Sequence, residues 1–430
     1  REGLPNFFNK IKTGQDAIVG YLGGSVTDGL YWRPAAESWM NTNYPSSNIQ
    51  HINLAKKATN SKYGAYRIDY EGLERDTYDL MFVEFAINDY SATDSDISRS
   101  IEGIIRKIWH SNPTTDICFV YTMYDKFLPD LVNGKMNNTV SIHDSIASHY
   151  GVSSIFWGVE YQKLIETGSV VFYDPTVNLL TSKNSADQYV LTKDNVHPTS
   201  FGVQVYIDIL AKCFNSIDHI YGNVAHNLAS TLITNNYERA KMHPILEVHN
   251  TGLDLIDNVG QKPDLDPFLV QNVRFLVSED ENDHYDFTFN GSEFGINYLS
   301  GPAVGKFIIE RDGYKREYNA FDKNSSYYRK QYRYIKLSCG THHAKIYPSI
   351  NKLSLTDKEN IFTTASLKLD VQNNPQKYNK NELIFSDVFT FEDIETPVIT
   401  SNSSLIFCQG DSVILTSSSD LGNVWSTGET

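Results

Sequence analysis

Over its first half the chain alternates short apolar runs with segments of helical spacing, and that alternation restricts the fold more than any other feature. The runs cover residues 17–22, 49–54, 78–86, 117–123 and, more weakly, 153–157. Between them, Ile97, Ile101, Ile104, Ile105 and Ile108 recur at the period of one helix face. They follow the capping residues Thr93 and Asp94 and stop before Asn112-Pro113. A second helix is expected after His197-Pro198, turning Val203, Ile207, Leu210 and Phe214 inward. A strand wetted on one face would alternate, but the third run is apolar nearly throughout and needs cover on both faces. The pattern predicts a parallel sheet between helical layers. In such sheets functional residues gather in loops beyond the carboxyl ends of the strands.

From about 225 to 395 the texture changes to antiparallel β. Tyr285-Asp-Phe-Thr-Phe289 and Phe294-Gly-Ile-Asn-Tyr298 alternate with period two, and Asn290-Gly291 between them predicts a hairpin turn. Residues 306–310 precede a second turn signal, Asp312-Gly313, and residues 332–337 precede Gly340 and a further run at 343–347. Together these predict a β-sandwich. The remaining stretch is rich in Ser and Thr, and Cys408-Gln-Gly-Asp-Ser-Val-Ile-Leu-Thr416 predicts the first strands of another β-module. A chain of 430 residues exceeds one ordinary domain. The expected units are 1–222, 223–395 and 396–430.

The formal charge of −15 argues against nucleic acid or an anionic membrane surface as a main partner. No apolar stretch approaches the roughly 20 residues of a membrane span. The four cysteines, Cys118, Cys213, Cys339 and Cys408, are too few for a disulfide scaffold and lack zinc spacing. Cys118 lies in an apolar run and reads as a buried thiol. The chain opens at Arg1 with no signal-like apolar core, so it is expected to be a trimmed product.

Three short segments carry candidate chemistry. Gly23-Gly24-Ser25 follows directly on the first strand, where two glycines permit a tight turn that presents the serine hydroxyl and N–H. Asn88, in Phe85-Ala-Ile-Asn-Asp89, follows the most apolar strand, where its amide can donate to an oxyanion or merely close an Asx-turn. Asp194-Asn-Val-His-Pro198 precedes the last helix of the first unit, and its three-residue offset lets Asp194 accept from His197 Nδ1. The alternative is a capping loop with an incidental histidine. Each segment is modest; a nucleophile, a base, its orienter and oxyanion donors in one fold make a set.

Here the sequence resembles the SGNH (GDSL-like) hydrolases, in the branch whose first block reads Gly-Gly-Ser. The resemblance runs through Gly3-Leu-Pro-Asn6, Tyr21-Leu-Gly-Gly-Ser-Val-Thr27 and Trp32-Arg-Pro34. It continues through Asn53, Thr59, Ser61, Gly64-Ala-Tyr-Arg67, Phe82-Val-Glu-Phe-Ala-Ile-Asn-Asp89 and the Asp194 loop. It implies a three-layer α/β/α domain with a five-stranded parallel sheet. It also implies that Ser25 attacks an ester carbonyl, with Asp194 and His197 completing the triad and the Ser25 N–H and Asn88 amide in the oxyanion hole. Ala58 stands where the family usually offers a glycine N–H as third donor, and Gly64 is the alternative. The later β-rich stretch is similar to the accessory sandwich of this branch, and 396–430 resembles an Ig-like repeat of large secreted bacterial surface proteins.

Trp32 and Arg33, close after Ser25, are candidates for the substrate mouth or for purely structural roles. Glu279-Asp-Glu-Asn-Asp283 with Asp286 reads as a solvated turn or, less simply, a calcium site. The function expected is removal of small acyl groups, acetyl foremost, from a polysaccharide or glycoconjugate outside the cell, with no metal or organic cofactor. The competing expectations are a non-catalytic glycan-binding or adhesion protein on the same scaffold, and an acyltransferase using the same triad.

Overall fold

A computed structural model describes residues 1–271, 273–393, 399–401 and 414–417. Five parallel strands form the first sheet: β1 (Ala17–Gly23), β2 (Ile49–Asn53), β3 (Leu80–Glu84), β4 (Asp116–Tyr121) and β5 (Ser153–Phe156). They lie in the order β2-β1-β3-β4-β5, with every neighbouring pair parallel. All five residues of β3 are buried, Glu84 among them, as cover on both faces of a nearly all-apolar strand requires. Helices Pro5–Lys12, Trp32–Asn43 and Ser200–Ile217 pack together in one layer, where Phe8 and Trp39 meet Phe214 edge-on. Helices Ser61–Ile68, Asp94–Ser111 and Asn138–His149 associate in another.

The isoleucine helix forms where its signals place it. The Thr93 side chain accepts from the Asp96 N–H at its start, and all five isoleucines are buried. In Ser200–Ile217, capped by Thr199, Ile207, Leu210 and Phe214 are buried while Val203 is half-buried. Between β5 and that helix the chain adds a small parallel pair, β6 (Val170–Tyr173) with β7 (Tyr189–Thr192), which delivers the Asp194 loop.

The later β-rich stretch departs from expectation. Asn290-Gly291 is not a turn. His284–Ser300 continues through it as one 17-residue strand, paired along its length with Arg329–Pro348, Gly291 opposite Gly340. The register shifts between Gly291 and Glu293, so the glycine serves a bulge instead of a reversal. A Cβ at Gly291 would lie 2.2 Å from the Phe391 carbonyl oxygen, which explains the residue type without any turn. Because these two long strands carry hydrogen bonding past the bulge, the antiparallel strands form one continuous nine-stranded sheet, not two separate ones. At Asp312-Gly313 the expected hairpin does form, both residues having positive φ, between Lys306–Arg311 and Tyr314–Asn319.

One apolar core lies around the parallel sheet and another within the antiparallel one. The first also takes in Tyr237, Met242, Phe389 and Phe391. Helix Ser61–Ile68 makes the main join: Tyr63 stacks on Tyr332 at 4.8 Å and Tyr66 on Tyr334 at 5.0 Å. Beside it Glu293 accepts from Tyr66 and Tyr237 hydroxyls and pairs with Lys62 at 2.7 Å and Arg99 at 3.3 Å. Cys118 is a buried thiol, as expected. Apart from a short pairing of Ile399–Ser401 with Leu415–Ser417, the expected Ig-like module lies outside the described residues.

Candidate active site

β1 and β3 flank the point where the strand order reverses, and both send residues into the crevice at their carboxyl ends. β1 ends in Gly23, and after Gly24 the chain turns into the short helix Ser25–Asp28. Gly24 donates its N–H to the Glu84 carbonyl at 3.3 Å, and Gly23 accepts from the Lys56 N–H at 2.9 Å. The glycine at 24 follows from close approach: a Cβ there would sit 2.0 Å from Asn88 Oδ1. The Asn88 amide is thereby seated against the backbone that precedes Ser25.

From 172 residues away, His197 Nε2 comes to 2.9 Å from Ser25 Oγ. Its Nδ1 lies 2.9 Å and 3.0 Å from the two carboxylate oxygens of Asp194. Asn195 takes φ +71°, a conformation Asn tolerates, and the loop curls so that Asp194 also accepts the His197 backbone N–H at 2.8 Å. Partial burial works to raise the Asp194 carboxyl, but the His197 N–H and imidazole outweigh it and hold it below its ordinary value. The Asp194 side chain is 48% exposed and that of His197 26%, so the relay lies at the mouth of the crevice.

Ala58 lies in the loop after β2 with φ +58°. A non-glycine residue there costs roughly 1–2 kcal/mol and persists only when its surroundings demand it. Thr59 Oγ1 donates to the Lys56 carbonyl within this loop, and Asn53 Nδ2 donates to Asp28 Oδ1 at 3.0 Å, tying the loop to the serine helix. Gly64 cannot be the alternative donor. Its N–H is spent on the Asn60 carbonyl at 3.0 Å, and its missing side chain makes room for the Phe85 ring. Asp89, fully buried, accepts from the Ser61 N–H and pairs with His143 at 2.8 Å, so the Asn88 turn and the Ala58 loop share an anchor.

Trp32 and Arg33 do not line a substrate mouth. Trp32 is 0% exposed; its indole N–H donates to Thr27 Oγ1 and its ring meets Trp157, Tyr21 and Phe82. The helix beginning at Trp32 turns that side chain down onto the sheet. Arg33 donates to the Thr27 carbonyl at 3.2 Å and pairs with Glu37 one turn on, leaving no free fork.

Two features were missed. Tyr31 places its ring 5.5 Å from the His197 imidazole, under Lys193 Nζ at 5.1 Å. Glu84, fully buried at the end of β3, accepts from Thr27 at 2.9 Å and Thr122 at 2.8 Å directly beneath the serine turn. Burial pushes its carboxyl up to about 7 against these hydrogen bonds. The signal was a carboxylate inside an otherwise apolar run; nothing comparable marks Tyr31. Among the described residues no group of three or more His, Cys, Asp or Glu is placed to hold a metal ion. Asp280, in the acidic turn, instead accepts from the backbone and side chain of Asn282.

No protein-family model matches the chain, and no curated protein does either. Solved structures do. A two-domain esterase active on acetylated mannans, co-crystallised with mannopentaose, is similar with a TM-score of 0.65 at 16% identity, covering 90% of this chain and 94% of that one. A second structure of a two-domain esterase active on acetylated mannans gives 0.64 at 15%, with the same coverage. The likeness is one of fold. No helix among the described residues is long and apolar enough to cross a membrane.

Proposed function

We propose that the chain is an SGNH-type serine ester hydrolase that removes small acyl groups, acetyl foremost, from a polysaccharide or glycoconjugate outside the cell. The observation that carries this reading is the 2.9 Å approach of His197 Nε2 to Ser25 Oγ, with Asp194 on the opposite ring nitrogen. His197 takes the Ser25 proton as the oxygen attacks the ester carbonyl, and Asp194 holds the ring in the required tautomer and stabilises its charged form. Held below its ordinary value, the Asp194 carboxyl stays ionised through the pH range in which a histidine base works. The N–H groups of Ser25 and Ala58 and the Asn88 amide are assigned to the tetrahedral oxyanion, where loss of one donor typically costs about 3–4 kcal/mol of barrier. His197 then protonates the departing sugar oxygen. Water, deprotonated by the same imidazole, releases the acid from the acyl-enzyme.

Ser25→Ala should lower kcat on an aryl acetate by a factor on the order of 10⁶ and abolish labelling by a fluorophosphonate. Retained turnover and labelling in that variant would overturn the assignment.

A further inference from the structure

A cleft of about 810 Å³ opens beside the serine site, bordered by both Asp28, which ends the serine helix, and Ala58. One wall is the loop carrying Lys56, Lys57, Ala58 and Thr59; the other is the 327–332 segment of the antiparallel sheet, with Phe268 and Gln271. The protein carries a formal charge of −15, yet the ionised side chains lining this cleft are four cations, Lys56, Lys57, Arg329 and Lys330, and one acid, Asp28.

Their pairing is incomplete. Lys56 is 3.7 Å from Glu71, and Arg329 Nη2 donates to both carboxylate oxygens of Asp322 and to Ser300 Oγ, while its buried Nε keeps no partner among the described residues. Lys57 is exposed, and among the described residues neither its side chain nor that of Lys330 has an ion pair or hydrogen bond. Lys330 is half-buried, with Glu71 and Asp387 attracting it and Lys56 and Arg67 repelling it. Burial first and Lys56 second hold its ammonium below the ordinary range, so an anion in the cleft would favour the charged form. Tyr327, 60% exposed, adds a ring face of the kind that stacks on sugars, and Tyr332, stacked on Tyr63, gives the wall a rigid base.

We infer that this cleft is a subsite for a carboxylate-bearing glycan, such as a chain containing uronic acid residues, held by Lys57 and Lys330 while Tyr327 covers a ring. The inference depends on the esterase reading only for placing the chain's ester near Ser25. A neutral polymer would leave the Lys57 and Lys330 ammonium groups without a counter-charge, which a carboxylate in the cleft would supply.

The test uses Ser25→Ala, which binds without turnover, titrated calorimetrically with an oligogalacturonate, a neutral mannooligosaccharide of equal length and a sulfated polysaccharide. The oligogalacturonate should bind at least tenfold more tightly than the neutral sugar, and its affinity should fall as salt rises. Lys330→Met and Lys57→Ser, each added to Ser25→Ala, should each weaken it severalfold. The second alters an exposed side chain and guards against misfolding of the first. Equal affinity for the neutral sugar, equal or tighter binding of the sulfated polymer, or full uronate affinity in the Lys57→Ser background would overturn the inference. Failure of the wild type to hydrolyse any acyl ester would count against the esterase reading and leave these binding results standing.

Discussion

Ala58 and Glu84 show how single residues are held in costly states beside the serine. At φ +58° the Ala58 side chain crowds its own backbone, so the loop keeps this geometry against local preference. Ala58→Gly should therefore raise stability by about 1 kcal/mol, seen as an upward shift of a few degrees in Tm. An unchanged or lower Tm would mean that the loop is not strained there. Glu84 titrates at about 7 when folded and near 4.5 when exposed. Between those values the folded chain keeps a proton that the unfolded chain has lost, so rising pH erodes stability. The contribution is whole below about pH 4.5 and gone above about pH 7, a loss on the order of 3 kcal/mol. Urea unfolding of Glu84→Gln across pH 4–8 should lack this decline; identical slopes in variant and wild type would remove Glu84 as its source.

At the scale of elements, close approach decides which positions tolerate change. Gly103 sits in the isoleucine helix where a Cβ would come within 2.5 Å of the Tyr237 backbone. That contact lets the helix Asp94–Ser111 bury itself against the turn Tyr237–Arg239. Helix propensity favours alanine at an exposed interior site, but here overpacking should dominate. Gly103→Ala is expected to cost about 2 kcal/mol in chemical denaturation; a stabilised variant would show that the turn moves away freely. Gly291 follows the same rule in a strand: sequence offers Asn-Gly as a turn, but the nearby Phe391 carbonyl explains the glycine.

At the scale of the whole molecule, the join between the parallel and antiparallel parts is both apolar and ionic. Glu293, with 3% of its side chain exposed, accepts from two tyrosines and faces two cations contributed by the first part. Removing it takes from Arg99 its ion pair and leaves the buried Lys62 with Asp96 alone, at 3.5 Å. Glu293→Ala should destabilise by about 3–5 kcal/mol and, by loosening helix Ser61–Ile68, disturb the Ala58 loop that precedes it. The measurement is unfolding free energy together with aryl acetate KM and kcat. A variant as stable as wild type would mean that the junction bears no such load.

Much of the α/β unit was legible because its strands and helices obey local periodicity. An unbroken apolar strand must be covered on both faces, and Thr93 and Asn112-Pro113 mark helix ends by their own chemistry. The serine turn, the Asn88 turn and the Asp194 loop were readable as strand-end motifs for the same reason. Ala58 was placed at the donor position by resemblance, but its left-handed backbone, in a loop that also holds the Thr59–Lys56 hydrogen bond, follows from no local pattern. Trp32 was left between the substrate mouth and a structural role because nearness to Ser25 in sequence says nothing about which side of its helix meets Trp157. Sequence by itself determined the layered parallel sheet and the order in which reactive side chains leave its strands, since period and turn chemistry act over a few residues. Only the tertiary structure decided that His197 meets Ser25, that Asn-Gly makes a bulge and that four cations face one cleft. Those outcomes depend on contacts between residues tens to hundreds of positions apart, where packing and electrostatics select among conformations that local preference leaves open.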